Sequence, residues 1–341
     1  MNLRLTYLDS HVDLRFAPGT DLEPTLRFLG THLTIAPTPD QGPEPLATLY
    51  VHASPTRTPP ADVTWSEGFV RRSASDFFTI PAKLASSKGR EYVECVRSGT
   101  RFVFDREERR VDVTVTPGTG LEPVELLREL VLRDQENRGA SVLHATAAHR
   151  DGEAVLVVGA KGAGKSTILL ELVEHHGFEV LSGDKTVVRP GPDGAPLVSG
   201  WPDYPHLGYG TIVKYPGLAE IAGAVNEPEG HAFSPLGKYA VDPGPFRERF
   251  ANAAPGTTVP VRAVLYPSIG PGPTELTPFR PAPSDLAGHA ESGFDGPVWH
   301  HFVPDLRERW VEQRSHLLAC LAEVPSLRLT GMGDLARVSL P

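Results

Sequence analysis

The chain has 341 residues, of which 40% are hydrophobic and 22% charged, enough for a sizeable core and for two domains. Its net charge of −9 offers no basic field to a nucleic acid backbone, and no apolar run reaches the length of a membrane span. Cys95 and Cys320 belong to no C-x-x-C pair, which argues against a zinc or disulfide framework. The start, MNLRLTYLDSHVDLRF, alternates polar and apolar residues and lacks a signal peptide's apolar core, so the cytoplasm is the expected location.

Residues 1–118 read as a β-rich N-terminal domain. LRLTYLDSHVDLRF, THLTIA and ATLYVHAS are short alternating or β-branched runs separated by Pro- and Gly-containing loops. EYVECV, TRFVFD and RRVDVTVT follow, the last two flanking a turn at Asp105-Arg106-Glu107-Glu108, which predicts a meander. The prolines at Pro55, Pro59 and Pro60 make 55–66 a loop. No catalytic constellation is visible in this half.

Residues 119–341 read as a second domain. Leu126, Leu127, Leu130 and Val131 recur at helical spacing, predicting a helix from Pro123 to Arg138 that Gly139 terminates. Val142 to Ala148 predicts one strand, and a two-residue Asp151-Gly152 turn leads from it into Val155-Leu156-Val157-Val158. Next comes Gly159-Ala160-Lys161-Gly162-Ala163-Gly164-Lys165-Ser166-Thr167, then an apolar helical run ending at Gly177. Strand, glycine loop and helix in that order are the setting in which G-x-x-x-x-G-K-[ST] is a phosphate-binding loop. Its backbone N–H groups and the helix N-terminus attract an anion, Lys165 reaches β- and γ-phosphates, and Ser166 ligates Mg²⁺. Phe178 to Leu181 predicts a further strand that delivers Asp184 to the sheet's carboxyl end, where ligands sit in such sheets. VRAVLYP from Val261 reads as a buried strand, Leu306 to Leu321 as an amphipathic helix, and Leu327–Leu329 with Val338-Ser339-Leu340 as closing strands.

The stretch from Leu143 to Val188 resembles the catalytic domain of the HPr kinase/phosphorylase-like family, relatives of phosphoenolpyruvate carboxykinase in fold. The likeness rests on His144 on a strand, the Asp151-Gly152 turn, the loop Gly159 to Thr167, and Asp184 at the next strand's end. It implies an α/β (α+β) mixed-sheet P-loop domain, ATP and Mg²⁺ as ligands, cytoplasmic kinase activity and homo-oligomers, a state the residues themselves leave open. The family's aspartate pair is represented by Gly183-Asp184, and its Arg-Gly-x-Gly signature by His206-Leu207-Gly208-Tyr209-Gly210. Both departures make HPr a poor expected acceptor. The implied activity is transfer of the γ-phosphoryl group to a hydroxyl of a small metabolite or peptide, in a specialised biosynthetic pathway. The alternatives are an HPr-type protein kinase/phosphorylase and a nucleotide-binding regulatory module without transferase activity.

Within that resemblance Lys165, Asp184 and His144 are the expected catalytic residues, Gly159 to Thr167 the nucleotide cradle, and Ser166 with Asp184 the metal ligands. Asp184 is read as metal ligand, proton acceptor or both, against the plain alternative of a solvated strand-end acid. His144 is read as contacting the γ-phosphate or orienting the acceptor, against that of a core histidine. Thr167 either assists Ser166 or hydrogen-bonds within its own helix. Asp203 and His206 are candidates for the acceptor side, Lys185 and Lys238 for an anionic group. The pairs His175-His176 and His300-His301 are assigned no function.

Overall fold

The computed structural model describes residues 2–73, 76, 78–215, 217–222 and 238–338. The chain divides into two compact units, 1–137 with 293–307, and 138–292 with 308–341. The first break therefore falls after Asn137, at the end of the predicted helix and not at residue 118, and the first unit takes back fifteen residues from late in the chain. Both units are mixed α/β structures built on large mixed sheets.

The first unit contains β1 (Asn2–Tyr7), β2 (Ser10–Phe16), α1 (Glu23–Leu29), β3 (Thr34–Pro37), β4 (Ala47–His52), β5 (Ser66–Arg71), β6 (Ile80–Ser87), β7 (Arg90–Cys95), β8 (Arg101–Asp105), β9 (Arg110–Thr114) and α2 (Glu122–Asn137). They form one nine-stranded sheet in the order β3-β1-β2-β4-β9-β8-β7-β6-β5. The predicted meander is present as antiparallel β7, β8 and β9, with Asp105 paired to Arg110 across the expected turn. β4 lies parallel to both β2 and β9. Helix α2 belongs here because Leu126, Leu127, Leu130 and Val131 are all fully buried, while Gln135 donates to Asp9 and Ser10 donates to Asp134 at 2.6 Å. The returning segment is held by rings: Trp299, His300 and Phe302 pack on Phe104 with centroids 4.6–6.1 Å apart. The predicted loop 55–66 is fastened to the sheet by Arg57, which reaches Asp105 at 2.8 Å and Glu108 at 2.6 Å.

The second unit contains β10 (Ser141–Leu143), β11 (Ala145–Arg150), β12 (Glu153–Val158), α3 (Lys165–His176), β13 (Glu179–Ser182), β14 (Thr186–Pro190), β15 (Pro196–Gly200), β16 (His206–Gly208), α4 (Tyr209–Lys214), α5 (Leu218–Ala222), β17 (Lys238–Ala240), α6 (Pro243–Arg249), β18 (Thr258–Ile269), β19 (Glu275–Phe279), α7 (Pro283–Ala287), β20 (Ala290–Glu291), α8 (Arg307–Ala322) and β21 (Ser326–Gly331). The main sheet runs β13-β11-β12-β18-β15-β14-β10-β20, with β21 added to β18 and β19 to β21. β11 and β12 are the predicted antiparallel hairpin, in register from Ala145–Val158 to Arg150–Glu153. Its turn residues have φ of +54° at Asp151 and +82° at Gly152, the left-handed pair that a two-residue hairpin of this twist demands. β18 runs parallel to β12, and β21 parallel to β18.

Period-2 alternation in β12 sorts its side chains. Val155 and Val157 join the cluster with Ile168, Leu169 and Leu172 of α3, whereas Ala154, Leu156 and Val158 join Leu317, Leu318 and Leu321 of α8. Two helices thus cover opposite faces of the strand that leads into the glycine loop. The predicted single strand at 142–148 is two strands: β10 pairs with β14 and β20, while β11 pairs with β12 and β13. His144 sits at the break, where its N–H donates to the carbonyl of His289 at 2.8 Å. Of the predicted closing strand 338–340, Val338 is not in a strand, and 339–340 lie outside the described residues. No described helix is long and apolar enough to cross a membrane.

One buried charge fixes α3 to the segments above it. Glu171 is fully buried, with its carboxylate 2.6 Å from Lys214 Nζ and accepting from Tyr215 OH and from the Leu335 N–H at 2.8 Å. Although burial opposes ionisation, these partners hold its titration below the ordinary value of 4.5. A depressed acid contributes stability above its unfolded value and loses it as pH falls through the folded one. Glu171→Gln is therefore expected to cost about 1–3 kcal/mol at neutral pH. Urea unfolding of the two proteins should show that gap closing below pH 4.5.

Candidate functional site

The loop from Gly159 to Gly164 closes on itself before the helix begins. Ala163 N–H donates to Ala160 at 3.1 Å, Ile168 N–H to Gly164 at 2.9 Å, and Ile269 N–H from the end of β18 to Ala163 at 3.4 Å. Gly162 and Gly164 have φ of +83° and +101°. At Gly164 only glycine fits, since a Cβ there would lie 2.2 Å from Ile269 Cγ1; at Gly162 a Cβ would meet nothing within 4 Å.

Lys165 opens α3 and is buried, its ammonium donating to the Gly159 carbonyl at 2.9 Å and the Ala160 carbonyl at 3.4 Å. Loss of hydration, and then the nearby charge of Lys238, push its titration down to about 8, against the pull of Asp184 and Glu291. Lys238 is likewise lowered by burial, with Asp184 opposing and Lys161 adding to the shift. Antiparallel pairing of β17 with β16 sets Lys238 opposite Gly208. Three lysines and one aspartate therefore share a field in front of the loop.

Asp184 leaves the carboxyl end of β13, and its Oδ1 is 3.6 Å from His144 Nε2. The other ring nitrogen, Nδ1, is 3.3 Å from Glu291 Oε1, whose partner oxygen is 2.9 Å from Lys185 Nζ. Hydrogen bonding to His144, with help from Lys185, draws the Glu291 carboxyl down to about 2. His144 thus stands between two carboxylates, and its Nε2 is buried without a hydrogen-bond partner. Glu291 was not predicted. It lies 147 residues from His144, in a two-residue strand with no hydrophobic pattern, and only the pairing of β20 with β10 brings it in.

The remaining predicted residues are placed as follows. Ser166 Oγ donates to the His206 carbonyl at 3.4 Å, and Thr167 shares a 2.9 Å hydrogen bond with Thr211 of α4. Asp203 accepts from the N–H of Tyr204 at 2.9 Å, a local turn contact. Lys185 is committed to Glu291. A Cβ at Gly183 would sit 3.3 Å from Pro205 Cγ, a tight contact with a proline ring. His175 and His176 contact Glu171 and the Leu335 carbonyl, and His300 and His301 contact Glu129 and Glu91, all local structural contacts.

No group of three or more His, Cys, Asp or Glu side chains among the described residues could hold a metal. Ser166 and Asp184 offer one hydroxyl and one carboxylate, the sparse donor set that suits a magnesium ion whose other ligands are phosphate and water. No protein-family model matches the chain, and no curated protein matches it either.

The contrast between the two glycines is testable. Gly164→Ala is expected to lose about 1–2 kcal/mol from the left-handed backbone and about 1–3 kcal/mol from overpacking Ile269. Gly162→Ala should lose only the first amount. Urea midpoints for the pair measure the difference, and equal losses would refute the steric role of Ile269.

Proposed function

We propose that this chain is a cytoplasmic ATP-dependent phosphotransferase with an HPr-kinase/phosphoenolpyruvate-carboxykinase-like P-loop domain, acting on a hydroxyl of a small metabolite or peptide. The observation that carries this reading is the His144–Asp184 pair, 3.6 Å apart, in the same field as the buried Lys165 ammonium. An ordinary phosphate-binding loop needs the lysine alone. A phosphoryl transferase also needs a group to take the acceptor's proton.

The fit to a nucleotide is favourable. A desolvated ammonium hydrogen-bonded to loop carbonyls gains from a bound anion, and the positive-φ glycines let backbone N–H groups face it. Ser166 and Asp184 would hold Mg²⁺, which when bound neutralises charge on the β- and γ-phosphates. With Nδ1–H donated to Glu291, His144 keeps Nε2 as its basic nitrogen. The acceptor oxygen forms its bond to the γ-phosphorus, the bond from that phosphorus to the β,γ-bridging oxygen breaks, and the hydroxyl proton passes to Nε2. ADP leaves with its new charge facing Lys165. Gly183 supports an acceptor other than HPr, because the strand end lacks the second acid.

Magnesium-dependent ATP consumption should rise when the acceptor is supplied. Lys165→Ala should lower it by at least about 10³-fold, and His144→Asn by about 10²–10⁴-fold. Candidate acceptors are screened by transfer of labelled γ-phosphate. Full turnover by the Lys165→Ala protein would sink the assignment, and stoichiometric phosphoserine on HPr would move it to the protein-kinase reading.

A further inference from the structure

The glycine loop is one of three chain segments that end side by side. β12, β18 and β21 run parallel, and each is followed at its carboxyl end by a glycine-containing turn: Gly159–Gly164, Ile269–Pro273 and Gly331–Gly333. The three turns are tied together. Ile269 N–H donates to Ala163, Gly270 N–H to Gly331 at 2.9 Å, and Met332 N–H to Gly272 at 3.1 Å.

Two large apolar side chains stand uncovered on these turns: Ile269 is 37% exposed and Met332 62%. Ile269 is not loosely placed. It is wedged between Gly164 and Gly333, where added Cβ atoms would lie 2.2 Å from its Cγ1 and 2.5 Å from its Cδ1. Both glycines have positive φ, a conformation open to glycine and rarely adopted by residues with side chains, so each leaves room for this one side chain. Isolated exposed hydrophobics are ordinary surface features. Two of them fixed on adjoining turns against a phosphate loop form a local apolar surface that water wets poorly.

Direction supplies the rest. His144 and Asp184, which take the γ-phosphoryl end in the reading above, lie with β11 and β13 on one side of β12. β18 and β21 lie on the other. A nucleotide whose triphosphate follows the loop therefore carries its nucleoside toward β18 and β21. We propose that Ile269 and Met332 form the nucleobase subsite, taking the flat face of the base against an aliphatic side chain and a polarisable thioether. This rests on the nucleotide reading and adds to it the residues that separate a nucleoside triphosphate from a bare triphosphate.

The test is titration calorimetry of the full chain with magnesium ATP and with magnesium tripolyphosphate, for wild type, Met332→Ala and Met332→Leu. Met332 is exposed, so its replacement leaves the core untouched, and a thermal melt verifies this. Met332→Ala should weaken ATP by about five- to tenfold and leave tripolyphosphate within about twofold, with Met332→Leu restoring most of the ATP affinity. Unchanged ATP affinity, or equal weakening of both ligands, overturns the subsite while the nucleotide reading stands. Wild-type protein that binds neither ligand overturns the nucleotide reading itself.

Discussion

The second unit is organised around an ammonium that has been taken out of water. Lys165 lies at the first position of α3, where the helix dipole already disfavours a cation, and its hydrogen bonds go to two carbonyls of its own loop. Lys238 and Lys161 add positive charge nearby, and Asp184 and Glu291 offset part of it. Burying ammonium groups near one another costs stability, because each loses hydration and repels the next. In the nucleotide reading proposed above, the phosphates would offset that cost, with the loop's N–H groups facing them.

How that cluster is held explains why the hairpin matters. A tight left-handed turn at Asp151-Gly152 sets β11 beside β12, and β11 begins immediately after His144. Because β10 and β11 belong to different parts of the sheet, the chain between them must leave regular pairing at one residue. That residue is His144. Its main chain is then fixed by His289 and its ring by Glu291 and Asp184, so a histidine on an apolar run is held at the mouth of the sheet instead of in its core.

Local signals made much of this legible. The glycine spacing with its flanking apolar runs marked the loop, Asp-Gly marked the hairpin, and i, i+3, i+4 leucines marked α2. Asp184's place near a strand end was legible because it comes two residues after the short run that forms β13. What sequence could not carry were partnerships set by topology. Glu291 reaches His144 only because β20 pairs with β10. Thr167 of α3 meets Thr211 of α4, 44 residues away in the chain. The return of 293–307 to the first unit depends on Trp299, His300 and Phe302 finding Phe104, a contact with no periodic trace. β5 and β6 were missed for another reason: Gly68 and Pro81 interrupt the runs from which a strand is normally read, although the two strands pair antiparallel with a register shift between Phe69 and Arg71.

Gly183 has the widest mechanistic consequence. Where two adjacent acids follow a strand, one can hold a metal while the other receives a proton. Here Pro205 lies against Gly183, so a side chain at that position would meet the proline ring at a tight 3.3 Å. A second carboxylate near Asp184 belongs to Glu291, on the other side of the His144 imidazole. Placed there, it cannot share a metal with Asp184 as a neighbouring acid would, and its hydrogen bond to Nδ1 leaves Nε2 as the site that can take a proton. In the phosphotransferase reading proposed above, this arrangement would give the proton-accepting role to His144 and leave Asp184 to the metal.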